Sequence, residues 1–155
     1  MGNGGSAATA SHFACDLSKS TVRKFYEPDS KRFRAVSLND NIPSMTAYSN
    51  DLSYEEIFSQ QLYNLINDGD LVIIITGSGN SPNVINAVKL AKKYNAITIG
   101  MLGFNGGKLL DMVDHALLYE SDNYGRIEDA HMMFCHIIVH WIMKIEKTNP
   151  NVLKS

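Results

Sequence analysis

With 155 residues, 45% hydrophobic and 19% charged, the chain is long enough to bury one substantial core, and it reads as a single domain over 1–155. A formal net charge of −2 without any Lys/Arg run argues against nucleic acid as the main partner. No apolar stretch approaches a membrane span, and the Gly- and Ala-rich start lacks the basic flank and continuous apolar run of a signal peptide, so a cytoplasmic protein with no membrane partner is expected.

The chain opens on Met1-Gly2-Asn3-Gly4-Gly5-Ser6, a loop that turns sharply and allows close approach of a ligand. Ser6 reads as the N-cap of a helix through Asp16, and oriented N–H groups at such a junction suit an anionic or polyhydroxylated ligand. His12 and Asp16 fall at i and i+4 on one face. They are either an ordinary exposed pair or two ligands of a shared metal ion. Residues 18–34 are polar and mixed in charge and read as a loop; 34–38 is a short strand candidate; 39–43 is turn chemistry; 44–49 is a helical turn ending at Asn50-Asp51. Apolar spacing through Ile57, Leu62, Leu65 and Ile66, with Glu55 and Glu56 in the first turn, predicts a helix over 54–66.

Leu71–Ile75 is an uninterrupted aliphatic run, β-branched from Val72 on, the mark of a strand buried on both faces of a parallel sheet. Thr76-Gly77-Ser78-Gly79-Asn80-Ser81 comes next, with Pro82 placed to open a helix over 82–94. Hydroxyls, backbone N–H groups and a helix's positive end converge there, at the carboxyl end of a strand, and can hold a phosphate without a lysine. The alternative is merely a well-capped helix. Further elements are a strand over 96–102, a turn over 103–107, a short helix over 108–113, a strand over 115–119, and a long helix over 124–147 that is apolar almost all round and is expected to be buried in a core or an oligomer interface. His131, His136 and His140 on it are either hydrogen-bonded core histidines or ligands. Cys15 and Cys135 lie far apart on apolar helical segments and are expected to be buried, reduced thiols.

Strands alternate with helices, so the class is α/β with a parallel sheet. The Gly-rich loop would normally come after a strand, and none precedes it. Either an N-terminal part is missing or the sheet is built without that strand.

Five collinear motifs carry a family resemblance: Gly2-Asn3-Gly4-Gly5-Ser6 with His12-Phe13-Ala14, Asn50-Asp51, Ser78-Gly79-Asn80-Ser81-Pro82-Asn83-Val84, Gly106-Gly107-Lys108, and Arg126-Ile127-Glu128 with His131 and His136. Together they resemble the sugar isomerase (SIS) domain family. The resemblance implies a single SIS domain with a flavodoxin-like three-layer sandwich, short at its N-terminus by about two helices and the first strand. It implies a homotetramer with active sites between subunits, a zinc ion, and conversion of sedoheptulose 7-phosphate to D-glycero-D-manno-heptose 7-phosphate on the way to surface polysaccharide. Carried over by position, the metal ligands are His12, Asp16, Glu128 and His136, and the base–acid pair is Asp16 and His136. Asn3, Gly4, Gly5, Ser6, Asn50, Asp51, Thr76, Gly77, Ser78, Ser81 and Glu128 contact the sugar or its phosphate.

The chain departs from the family pattern in four places. Asp16 replaces Glu, shortening the reach by ~1.3–1.5 Å, and Glu128 replaces Gln, adding a negative charge beside the metal. Tighter metal binding and a weaker Lewis acid are expected; alternatively Glu128 is the base and Asp16 only a ligand. Gly77 stands where a hydroxyl residue is usual, and an Arg expected near Ser20 is absent. The rivals to a sugar-phosphate isomerase are a non-catalytic SIS module that binds a sugar phosphate or a protein partner, and a chain that folds only within an assembly.

Overall fold

The computed structural model describes residues 1–22, 26 and 32–148. Helix α1 spans Gly5–Lys19, α2 Ile42–Asp51 and α3 Ile57–Tyr63; strand β1 spans Leu71–Thr76, α4 Pro82–Lys93, β2 Ile97–Gly103, β3 His115–Tyr119 and α5 Tyr124–Thr148. Short 3-10 turns occupy Tyr54–Glu56 and Gly107–Asp111. The described strands form one parallel sheet in the order β1-β2-β3, with Leu71 opposite Ile97 and Ile99 opposite His115. Along its other edge β1 is bridged by Met1, whose amine donates to Ile73 O (3.0 Å) and whose carbonyl accepts from Ile75 N (2.9 Å). Residue 1 thus pairs as a strand residue would, and the Gly-rich loop leaves directly from the sheet.

Alternation along β1 assigns the layers. Val72 and Ile74 pack with Phe58 and Leu62 of α3 and Val84, Val88 and Ala91 of α4, whereas Ile73 and Ile75 face Ala10 and Phe13 of α1 and Cys135 and Val139 of α5. The period of two in a strand puts neighbouring side chains on opposite faces, so one run of isoleucines feeds both cores. The result is the expected three-layer α/β sandwich, with α1 and α5 side by side on one face.

Several local expectations are corrected. Residues 34–38 form no strand, and Val36 is 68% exposed; among the described residues its β-branched side chain has no partner strand to pair with. The 54–66 helix is shorter, a 3-10 turn leading into α3 and ending at Tyr63, while the 44–49 turn extends to the whole of α2, capped by the Asn41 side chain accepting from Ser44 N (3.1 Å). Of the 18–34 loop, Ser18 and Lys19 belong to α1, and 23–25 and 27–31 lie outside the described residues. Cys135 is buried but Cys15 is exposed; both are free thiols. Strand β1 is buried except at Ile73, which is half-buried, and Leu71, which is 54% exposed. Helix α5 is only partly buried: Met133, Ile137 and Trp141, one helical turn apart, stand open to solvent.

Candidate active site

The turns after β1 and β2 lie side by side at the carboxyl end of the sheet, where open α/β sheets bind ligands. They are bonded to one another at three points: Gly103 N to Gly77 O (3.0 Å), Leu109 N to Gly79 O (3.1 Å) and Lys108 N to Asn80 Oδ1 (3.1 Å). Gly79 has φ +63°, and a Cβ there would fall on the Gly106 carbonyl. Only glycine permits this interlock. Thr76 Oγ1 accepts from Gly79 N (3.4 Å) and Ser78 Oγ from Asn80 N (3.3 Å), while Ser81 is the N-cap position of α4 with its side chain not engaged in capping. Hydroxyls of Thr76, Ser78 and Ser81 therefore surround the positive end of a twelve-residue helix.

Helix α1 starts one residue before the expected cap. Gly4 is the N-cap position, no side chain caps the helix by hydrogen bonding, and Ser6 sits inside the first turn, buried. The Glu128 carboxylate of α5 lies against Gly5, in the space a side chain at position 5 would need. A carboxylate at a helix N-terminus is stabilised by the macrodipole, so Glu128 serves this end of α1 electrostatically.

Two turns further along, α1 and α5 bring three ligand-type side chains together. His12 Nε2 lies 3.2 Å from Asp16 Oδ2 and 3.1 Å from His136 Nε2, and His136 Nε2 lies 4.0 Å from Asp16 Oδ2. A tetrahedral zinc with bonds of about 2.0–2.1 Å sets neighbouring ligand atoms roughly 3.3 Å apart, so this triangle fits such an ion after a small adjustment at Asp16. Nitrogen and carboxylate donors on exposed or half-buried side chains are a suitable donor set. Glu128 is not part of this close group.

The remaining candidates are placed as follows. Asn3 lies on the loop, with its amide turned to Asn83 and Tyr54. Gly77 is packed under the Tyr124 ring. Asn50 and Asp51, exposed and hydrogen-bonded to each other at 2.9 Å, end α2; Tyr54, three residues on, reaches Asn3. His140 is exposed on α5, one turn beyond His136, and is not in the three-residue group. His131 is fully buried beside the Leu102 backbone, with no hydrogen bond of good geometry at either ring nitrogen, and burial pushes its pKa down, so it is a neutral packing group. Burial pushes the neighbouring Cys135 thiol up to about 12. Asn39, and Asn83 of the serine-turn motif, neither of which was expected to have a role in the site, bond directly to the Gly-rich loop. Each pairs across tens of residues, and nothing local in the sequence signals it.

Among the described residues no helix is long and apolar enough to cross a membrane. The SIS domain model matches residues 1–103. The phosphoheptose isomerase of Aliarcobacter butzleri is 41% identical over 137 residues, 88% of this chain and 70% of the relative; that of Helicobacter pylori is 42% identical over 137 residues, covering 88% and 69%. Among solved structures, the phosphoheptose isomerase of Neisseria gonorrhoeae superimposes with a TM-score of 0.83 at 34% identity, over 92% of this chain and 73% of that one; that of Francisella tularensis gives 0.82 at 30%, over 92% and 74%. The family model spans both the Gly-rich loop and the serine turn, and the relatives and solved structures extend over most of the chain: the chain belongs to the SIS domain family and, within it, to the phosphoheptose isomerases.

Proposed function

We propose that this chain is a sugar-phosphate isomerase that converts sedoheptulose 7-phosphate to D-glycero-D-manno-heptose 7-phosphate through an enediolate, supplying heptose for surface polysaccharide. The observation that carries the reading is the convergence at 3.1–4.0 Å of His136 from α5 with His12 and Asp16 of α1, the helix whose N-terminal loop leaves the same sheet end as the serine turn. A proton must leave one carbon, negative charge must be held on the adjacent oxygens, and the proton must return to the neighbouring carbon. Asp16 is the base that takes the proton, and His136 is the acid that donates at the oxygen; a ring nitrogen that coordinates a metal carries no proton, so His136 would donate from the nitrogen left free. A zinc ion held by His12, Asp16 and His136 would supply Lewis acidity toward the developing negative charge; Glu128, which lies against Gly5, would have to turn from there to join them as a further ligand. Thr76, Ser78, Ser81 and the Gly77 N–H bind the phosphate, the 3–6 loop contacts the sugar, and Asn50 and Asp51 contact its hydroxyls.

The domain is a single SIS unit over 1–155, in the cytoplasm and oligomeric. Met133, Ile137 and Trp141 on α5 form an exposed apolar stripe beside His136, suited to cover by a second copy in a tetramer that completes the site. Metal analysis of the purified protein, together with solvent-deuterium incorporation into sedoheptulose 7-phosphate, tests the reading. Zinc with exchange supports it. Sugar-phosphate binding with neither zinc nor exchange replaces it with a non-catalytic receptor.

A further inference from the structure

The Gly-rich loop is held by two asparagines from opposite directions. Asn39 grips Gly2, donating from Nδ2 to Gly2 O (2.8 Å) and accepting at Oδ1 from Gly2 N (3.1 Å). One residue on, Asn3 and Asn83 exchange a pair of amide bonds: Asn3 Nδ2 donates to Asn83 Oδ1 (2.9 Å), and Asn83 Nδ2 donates to Asn3 Oδ1 (2.8 Å). The Tyr54 hydroxyl donates to the same Asn3 Oδ1 at 3.1 Å. Asn83 is 1% exposed, in the first turn of α4, two residues after Ser81.

Donor and acceptor counting gives these bonds a meaning. A side-chain carbonyl oxygen has two lone pairs, and both of Asn3's are taken, one by Asn83 and one by Tyr54. That oxygen has no capacity left for a substrate hydroxyl. An asparagine as buried as Asn83 costs free energy unless paired, and its amide donates one hydrogen bond to Asn3 and accepts one from it across eighty residues of chain, its oxygen also accepting from Val84 N. We infer that Asn83 is a positioning residue: its amide pair with Asn3, braced by Tyr54, latches the loop entering α1 to the first turn of the phosphate-binding helix. The distance between the phosphate turn and the His12/Asp16 face is thereby fixed, and the Asn3 side-chain carbonyl acts on the substrate through Asn83 rather than by touching it. This rests on the isomerase reading of the same site.

The test uses the zinc-loaded full chain and a cycle of Asn3→Leu, Asn83→Leu and the double variant, with Tyr54→Phe alongside. Catalytic geometry tolerates little displacement, so each leucine variant is expected to lower kcat for sedoheptulose 7-phosphate by about ten- to a hundred-fold. The double variant should be no worse than the poorer single one, because both remove one latch. Binding of inorganic phosphate should stay within about two-fold of wild type, since the serine turn is untouched. Tyr54→Phe, on an exposed ring, should lower kcat a few-fold and decides the matter if Asn83→Leu does not fold. Multiplicative losses at Asn3 and Asn83 would overturn the latch, as would an unchanged kcat in Tyr54→Phe. If the wild-type protein catalyses no exchange, the isomerase reading fails; the same cycle, read as Kd for sedoheptulose 7-phosphate, still accepts or rejects the latch.

Discussion

Replacing Gly79 with alanine measures how tightly the two turns at the sheet end are locked. At φ +63° an L-residue costs about 1–2 kcal/mol through its own Cβ. The new methyl also falls on the Gly106 carbonyl, which is backbone and cannot swing aside as a side chain would. Separating the turns breaks the Leu109 N–Gly79 O bond, worth about 0.5–1.5 kcal/mol net. The expected loss is therefore about 2–3 kcal/mol, or roughly 5–10 °C in Tm for a domain of this size. Gly69→Ala is the control: its φ is +77°, but nothing lies within 4 Å of the added methyl, so only the backbone cost of about 1–2 kcal/mol applies. Thermal and urea unfolding of both variants, with phosphate binding measured in parallel, gives the comparison. Gly79→Ala should be the less stable and should bind phosphate more weakly, because Ser78 and Ser81 flank the displaced residue. Equal losses in the two variants would refute the interlock.

Three further outcomes concern the site and the sheet. His136→Ala should abolish deuterium exchange and lower zinc content, since it removes one of three converging donors; an active variant removes His136 from the chemistry. Glu128→Gln should keep zinc and change kcat by about ten-fold or more, upward if Asp16 is the base and Glu128 only dampens the Lewis acid, downward if Glu128 is the base. Asp114 accepts from Thr98 Oγ1 (2.7 Å) and Thr98 N (2.8 Å), and these bonds hold its carboxyl below the ordinary value of 3.8. Its ionised form is therefore favoured by the fold, and its contribution, complete at neutral pH, drains away as pH falls below 3.8 through the lowered value. Asp114→Asn should be less stable at pH 7 and show a shallower acid loss in a pH series of urea unfolding curves.

The sequence made the periodic parts of this molecule readable. The aliphatic run of β1, Pro82 at the head of α4 and the 115–119 strand all stand where local chemistry put them. The i, i+4 spacing of His12 and Asp16 already placed them on one face of α1. Misreadings arose where tertiary partners decide: residues 34–38 have strand-like composition but no neighbour to pair with, and Ser6 looked like a cap until the helix began one residue earlier. The position of Glu128 against Gly5, and the grips of Asn39 and Asn83 on the loop, depend on contacts 37 to 123 residues apart. No window of local sequence contains such a pair. That His136 sits beside His12 was carried by family resemblance, because α5 alone offers three histidines of equal standing.

The triangle of His12, Asp16 and His136 rests on a seam of apolar side chains. Ala10 and Phe13 from α1 meet Cys135 and Val139 from α5 over Ile75 and Met101, and two of these, Phe13 and Cys135, are the immediate chain neighbours of the two histidines. Ion affinity in this protein is therefore a gauge of how well that seam closes. Trimming Val139 to alanine, well away from any donor atom, should loosen the grip on zinc, and stripping the ion should in turn let the two helices part at lower temperature. Chemistry at the rim and solidity underneath are read on one dial.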